Sequence, residues 1–89
     1  MTHFILYSRS YCHLCDDMLH ALQAFHVQYE FVVEVVDVDA DAALTAQYDE
    51  LVPVLIGVKK LAMEHAGTTQ LCHYFLDAVK VKKFLEMEK

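Results

Sequence analysis

Short apolar runs and stretches of helical spacing alternate along this chain, and the alternation predicts its elements. Runs rich in β-branched and aromatic residues indicate strands, whereas apolar residues three and four positions apart indicate a helix. In the first helix, Leu14, Met18 and Leu22 fall on one stripe. The pattern predicts strands at residues 3–7, 30–38, 52–57 and 71–75, and helices that begin at His13, at Ala40 and after Asp77.

Some of these segments carry more detailed expectations. Residues 30–38 are almost continuously β-branched and aromatic, which is typical of a strand covered on both faces. Asp39 and Asp77 are expected to cap the second and third helices. Residues 58–69 fit a hairpin arm, a loop or a short helix, and we interpret them as an extended connection. Tyr74 and Phe75 fit either the core or the floor of a substrate groove, and we expect them in the core.

The element order is therefore β-α-β-α-β-β-α, an α/β arrangement. The first three elements predict a right-handed βαβ unit with parallel strands, and the last two strands pair as a hairpin. A four-stranded mixed sheet with helices on both faces follows. The 89 residues leave no room for a second core at roughly 100–200 residues per domain, so residues 1–89 are one domain.

Composition narrows the function classes. Hydrophobic residues make up 56% of the chain and charged residues 22%, which predicts a folded chain. The formal net charge of −6 argues against nucleic acid or an anionic membrane as partner. No basic leader with an apolar run precedes the first strand, and no apolar stretch reaches the roughly 18 residues of a membrane span. We expect a cytoplasmic monomer.

The three cysteines are the candidate chemistry. In a reducing compartment they indicate a metal or redox site rather than a structural disulfide framework. Cys12 and Cys15 stand one helical turn apart, close enough for a disulfide. Cys12 lies where the first strand gives way to a helix, and the unpaired N–H groups there stabilise a thiolate. Cys15, one turn inside, is expected to be more buried and to resolve a mixed disulfide.

The neighbours of Cys12 act on its ionisation in both directions. Arg9 and His13 favour the thiolate, whereas Asp16 and Asp17 oppose it. We predict a Cys12 pKa below the value of about 8.5 of a free cysteine.

Two other interpretations of the cysteines are a zinc site and an unreactive packed pair. Zinc takes four ligands, and Cys72 with His73 would have to complete the set. Adjacent residues of an extended segment point in opposite directions, which makes that set unfavourable. Cys72 is expected to be a packed residue of the core. Asp37, Asp39 and Asp41 alternate as in a calcium loop, but Ala42 and Tyr48 break that pattern.

The segment from Ser8 to Cys15, SRSYCHLC, resembles the active-site entry of glutaredoxins. A basic residue stands three positions before the first cysteine and a tyrosine directly before it. More narrowly, CHLCDDM, LVPVL and CHYFLD are similar to a family of small bacterial glutaredoxin-like proteins of the thioredoxin superfamily. The resemblance covers nearly the whole chain.

The resemblance implies a thioredoxin fold and a thiol–disulfide oxidoreductase. It makes Cys12 the attacking thiol, Cys15 the resolving thiol, and Pro53 a cis-proline that faces them. The polar backbone groups of Val52 would then pair with an extended substrate. The residues expected to bind substrate are Arg9, Tyr11, His13, Val52, Pro53 and Asp77.

Departures from the glutaredoxin pattern bear on the cofactor. His13 and Leu14 replace the proline and tyrosine of Cys-Pro-Tyr-Cys, and Leu51 replaces a threonine. Residues 74–77 (YFLD) stand where the Gly-Gly-x-Asp segment would hold glutathione, so only Asp77 matches. Arg9 remains able to pair with a glutathione carboxylate. The resemblance thus leaves glutathione as an optional ligand, and requires no metal or organic cofactor.

The expected partners are a disulfide-containing protein or a small thiol substrate, together with an external thiol reductant. Two alternatives stay open. One is a non-catalytic module of the same fold that binds extended peptide at Val52–Pro53, and the other is a CxxC protein that binds metal.

Overall fold

The computed structural model describes residues 2–10, 12–48, 51–60 and 66–87. Within these ranges the elements follow the predicted order, with short 3-10 turns at Ala24–Val27 and Val38–Ala40. The strands are β1 (Thr2–Ser8), β2 (Phe31–Asp37), β3 (Val54–Lys60) and β4 (Ala66–His73), and the helices are α1 (His13–Gln23), α2 (Ala42–Tyr48) and α3 (Ala78–Met87).

The strands form one mixed sheet in the order β2-β1-β3-β4. β1 runs parallel to β2 and antiparallel to β3, and β3 runs antiparallel to β4. The predicted βαβ unit and the mixed four-stranded sheet are therefore confirmed. The βαβ unit makes β1 and β2 parallel because its crossover helix returns the chain to the same end of the sheet.

One end of this sheet gathers the ends of three strands and the start of the fourth. Ser8 at the end of β1 pairs with Asp37 at the end of β2. Tyr7 pairs with Val54 at the start of β3, and Val54 pairs with His73 at the end of β4. We call this edge the Ser8 end of the sheet. Cys12, Pro53 and Asp77 lie in the loops at this end, and Cys15 lies in the first turn of α1.

The main core lies on one face of the sheet. Alternate residues of a strand share a face, so Phe4 and Leu6 of β1 point into this core. The ring of Phe4 meets Phe31 edge-on at 5.3 Å and Phe84 at 5.7 Å between centroids. The other buried members come from α1, α3, β3 and β4: Met18, Leu22, Leu55, Leu71, Val81 and Leu85.

The helix α2 packs on the opposite face, where it contacts Tyr7. Tyr7 alternates with Leu6 and so faces away from the main core, and its ring stacks on Tyr48 of α2 at 4.5 Å and 19°. Burial raises the pKa of Tyr7, and the neighbouring Tyr48 and Glu34 add to the rise. The predicted helices on both faces of the sheet are confirmed. Across the described ranges no helix is long and apolar enough to cross a membrane.

The expectation that residues 30–38 form a strand covered on both faces is wrong. β2 is the outermost strand on its side of the sheet, and Val32 and Val35 are 43% and 51% exposed. These two residues lie on opposite faces, so neither face of β2 is fully covered. β-branched composition indicates a strand but not its place in the sheet, because how well such residues suit a strand depends on the neighbours that the fold packs against them.

The cap of α2 also differs from the prediction. Residues 38–40 form a 3-10 turn, and α2 begins at Ala42 rather than Ala40. The carboxylate that accepts from a helix N–H belongs to Asp41, which binds the backbone N–H of Ala43 at 2.8 Å. Asp37 caps the 3-10 turn in the same way through the N–H of Asp39 (2.9 Å). Each of the three alternating aspartates could accept a hydrogen bond from a backbone N–H at a helix start, so the sequence does not indicate which of them caps α2.

The interpreted connection at 58–69 is largely strand. β3 continues to Lys60 and β4 begins at Ala66, so the two form a longer hairpin than predicted, while residues 61–65 lie outside the described ranges. A bulge interrupts the pairing, since Leu55 pairs with Cys72 but Ile56 with Gln70. The placement of Tyr74 and Phe75 in the core is wrong, since both are exposed, Phe75 by 70%. β4 ends at His73, and Tyr74 turns the chain outward with φ 61°.

Candidate functional site

Cys12 is the N-cap of α1. Its backbone is extended (φ −107°, ψ 105°), and its Sγ accepts a hydrogen bond from the backbone N–H of Cys15 at 3.2 Å. The first N–H groups of a helix have no partner within the helix, and they favour negative charge at this position. The sulfur of Cys12 therefore takes the place of the usual capping oxygen, where a thiolate is stabilised.

Cys12 and Cys15 form a disulfide across this first turn, with their Cα atoms 5.2 Å apart. The two residues differ in exposure. Cys12 is half-buried, whereas Cys15 is only 4% exposed and belongs to the buried stripe of α1. The expectation that Cys15 is the more buried of the two residues is confirmed. The Cys12 pKa stays a prediction, because disulfide sulfurs do not titrate.

Pro53 lies at the same end of the sheet as the disulfide. It directly precedes β3, and its peptide bond with Val52 is cis. Its ring is buried, and its carbonyl accepts a hydrogen bond from the N–H of Tyr74 at 3.0 Å. This bond ties the start of β3 to the turn that follows β4.

Val52 uses one of its polar groups within the chain. Its N–H donates to the carbonyl of Tyr48, at the end of α2, at 3.2 Å. This corrects the expectation that both backbone groups of Val52 are available to an extended substrate. The helix α2 ends at Tyr48, and the last carbonyls of a helix need donors.

Arg9, the residue after β1, forms an ion pair with Asp39. Its Nη2 lies 2.7 Å from Oδ1 of Asp39, and its Nε donates to Oδ2 at 3.3 Å. The expected role of Arg9 beside the Cys12 thiolate or on a glutathione carboxylate must therefore compete with this ion pair. Sequence reasoning weighed Asp39 as a helix cap and a calcium ligand only, and no local signal pairs two residues 30 positions apart.

The remaining predicted binding residues have different surroundings. His13 is the first residue of α1, and its side chain is exposed. Asp77 accepts a hydrogen bond from the N–H of Lys80 at 3.1 Å, which confirms it as the cap of α3. Its carboxylate thus has a structural role whatever it binds. Tyr11 lies outside the described residues.

Cys72 is a free thiol on β4, partly buried and packed against the main core. Burial raises the pKa of the Cys72 thiol. The backbone N–H of Asp77 opposes the rise, the Asp77 carboxylate adds to it, and the charge of Lys80 opposes it. Cys72 is therefore packed against the core as expected, but it is partly buried rather than inside the core.

The raised pKa of Cys72 gives a prediction about its reactivity. At pH 8 the native protein should alkylate at Cys72 several-fold more slowly than the urea-unfolded chain, because fewer thiols are ionised and the sulfur is half-covered. Mass spectrometry after timed iodoacetamide quenches would measure both rates, with the Cys12–Cys15 disulfide kept oxidised. Equal rates in the two states would contradict it.

The described part of the chain contains no group of three or more His, Cys, Asp or Glu side chains that could hold a metal ion.

Comparisons with known proteins agree with this geometry. The family model of the glutaredoxin-like domain (DUF836) matches residues 3–86. Protein Ne2328 from Nitrosomonas europaea is similar in structure (TM-score 0.79) and 33% identical, over 94% of this chain and 91% of that one. A protein from X. campestris (XcR50) is 29% identical with a TM-score of 0.55, over 97% and 99% of the two chains.

More distant structures share the fold. The thioredoxin of Trichomonas vaginalis is 21% identical with a TM-score of 0.71, over 99% of this chain and 79% of that one. No curated protein matches the sequence. Because the family model spans nearly the whole chain, and the element order and the CxxC pair at a helix start agree with it, the chain belongs to the glutaredoxin-like (DUF836) family and has the thioredoxin fold.

Proposed function

We propose that this protein is a thiol–disulfide oxidoreductase that works through Cys12 and Cys15. The observation that carries the proposal is the hydrogen bond from the Cys15 N–H to Sγ of Cys12 at the start of α1. A donor aimed at a sulfur favours its anionic form, and the anion is the nucleophile of disulfide exchange. A cysteine that only fills space in the core does not require a hydrogen-bond donor at its sulfur.

The difference in burial assigns the order of the steps. The thiolate of Cys12, the more accessible sulfur, attacks one sulfur of a substrate disulfide RSSR. A Cys12–SR mixed disulfide forms and RS⁻ leaves. The thiolate of Cys15 then attacks Sγ of Cys12, so that the second RS⁻ leaves and the protein disulfide closes. Two electrons have passed from the protein to the substrate, and an external thiol system returns them.

The proposal includes an expected setting. The substrate is a protein disulfide or a small disulfide, the reductant is an external thiol, and the compartment is the cytoplasm. The protein acts as a monomer without nucleic acid or membrane, and the exchange itself uses no metal or organic cofactor. Glutathione is an optional reductant whose binding rests on Arg9 and Asp77.

Equilibration against glutathione redox buffers tests the proposal. Samples quenched with acid and alkylated at intervals are read by mass spectrometry. We expect a two-electron transition between the dithiol and a species lighter by two hydrogens, located at Cys12 and Cys15 by peptide mapping. In the reduced protein Cys12 should alkylate faster than Cys15.

A protein in which neither cysteine reacts in the native state, or in which no reversible Cys12–Cys15 disulfide forms between the extremes of the buffer series, would refute the oxidoreductase proposal. A peptide-binding module of the same fold would then be favoured. Its distinguishing property is affinity for extended peptide that survives the substitution Cys12→Ser.

A further inference from the structure

The ion pair between Arg9 and Asp39 joins two loops at the Ser8 end of the sheet. Arg9 directly follows β1 and stands three residues before Cys12, and Asp39 belongs to the turn after β2. Both contacts, 2.7 and 3.3 Å, use the two carboxylate oxygens of Asp39. Two donors of the Arg9 guanidinium thus bind the carboxylate of Asp39.

Asp39 is held in place for this contact. Its backbone N–H donates to Oδ1 of Asp37 at 2.9 Å, and the 3-10 turn fixes its direction. The pair is nevertheless partly open to solvent, with side-chain exposures of 33% for Arg9 and 44% for Asp39. A solvent-exposed pair of this kind contributes little to stability, so its arrangement calls for another explanation.

The charges around the pair favour a role in selecting substrates. Nine of the 13 acidic residues precede Leu51, whereas Arg9 is the only Lys or Arg before Lys59. Arg9 is therefore the one permanent cation in this half of the sequence, and it lies beside the reactive cysteine in the chain. A carboxylate on an incoming disulfide would bind its guanidinium in the same two-donor geometry that Asp39 already occupies.

We propose that Asp39 is a specificity-determining residue, which occupies Arg9 and makes the dithiol discriminate against disulfides that carry carboxylates. Neutral and cationic disulfides are the favoured substrate class. The inference rests on the proposed oxidoreductase function and deepens it, because it assigns the charge of the groups next to the substrate disulfide.

Three small disulfides of similar size and different charge provide the test. 3,3′-Dithiodipropionate is a dianion, bis(2-hydroxyethyl) disulfide is neutral, and cystamine is a dication. Each oxidises the reduced protein with release of two thiols, and the rate constant follows from mass spectrometry of quenched samples. The measured quantity is the ratio of the anionic to the neutral rate constant within one protein, which is independent of small differences in folded fraction.

Asp39→Asn removes the carboxylate and keeps the shape. We expect it to raise the anionic-to-neutral ratio about three- to tenfold, the scale of one partly exposed charge-assisted contact. Asp41→Asn is the matched control. It removes the same charge two residues away and keeps an N-cap side chain on Ala43, so it should change the ratio less than twofold.

A third comparison tests whether the effect of Asp39→Asn depends on Arg9. In the Arg9→Gln background, Asp39→Asn should no longer raise the ratio, because the cation that a substrate carboxylate would use is gone. If Asp41→Asn, or Asp39→Asn in the Arg9→Gln background, raised the anionic-to-neutral ratio as much as Asp39→Asn does in the wild type, the effect would be general charge repulsion and the inference would be overturned. A ratio unchanged by Asp39→Asn would also overturn it. Failure of the wild-type dithiol to react with even the neutral disulfide would instead refute the proposed function.

Discussion

Substitution of Cys12 by serine is expected to abolish disulfide reduction, with a loss of at least about a thousandfold. A serine hydroxyl at this N-cap accepts the same helix N–H but stays protonated at neutral pH, so the nucleophile is lost while the helix keeps its cap. Oxidation of the variant by bis(2-hydroxyethyl) disulfide would be followed by mass spectrometry. Residual oxidation near the wild-type rate would contradict the assignment of Cys12.

Cys15→Ser should have a different outcome from the same reagent. Cys12 still attacks, but the buried partner that resolves the mixed disulfide is missing. The variant is therefore expected to accumulate an adduct of one mercaptoethanol per chain at Cys12. Cys72→Ser is the matched control, because it removes a thiol that takes no part in the disulfide and should leave the rate within about twofold of wild type.

Gly57→Ala is expected to lower the stability of the fold by about 1–3 kcal/mol. Gly57 lies in β3 beside Phe4, and a Cβ atom placed on it would lie only 2.6, 2.7 and 2.8 Å from three atoms of the Phe84 ring. The ring has little room to move, because it is buried and packed on Phe4. Urea denaturation would measure the free energy of unfolding, and Tm should fall by roughly 5–20 °C.

The direction of this effect is informative. Alanine in place of glycine ordinarily stabilises an open strand by up to about 1 kcal/mol, since it restricts the unfolded chain. A stabilised Gly57→Ala protein would therefore contradict the close approach of α3. Phe84→Leu serves as the partner in a double-mutant cycle. In that background Gly57→Ala should cost less by about 1 kcal/mol or more, because the ring atoms nearest to the methyl group are gone.

The parts of the fold that sequence predicted well are those that depend on neighbours along the chain. The α1 stripe with Met18 and Leu22, the cap at Asp77 and the position of Cys12 at a helix start each involve residues within a turn or two. The capping aspartate of α2 was placed two residues early, because Asp37, Asp39 and Asp41 each satisfy the local rule. Only the pairing of Asp39 with Arg9 distinguishes it from the other two.

Residues whose environment depends on distant elements were predicted poorly. The β-branched run at 30–38 indicated a strand, but its place at the edge of the sheet depends on where β3 inserts. Tyr74 and Phe75 had core composition, yet the turn after β4 directs them to solvent. Hydrophobicity predicts burial only when the fold brings a second surface to the residue.

The sequence by itself determined the order of elements, the family and the CxxC pair, since periodicity, caps and a motif all act over a few residues. The tertiary structure alone decided which groups meet at the Ser8 end of the sheet. Because β3 runs antiparallel to β1, Pro53 at the start of β3 lies at the end of the sheet where β1 leads to Cys12. Because β2 runs parallel to β1, Asp39 after β2 lies close enough to pair with Arg9 after β1. Strand pairing fixes such meetings because backbone hydrogen bonds set the register between segments that are far apart in sequence.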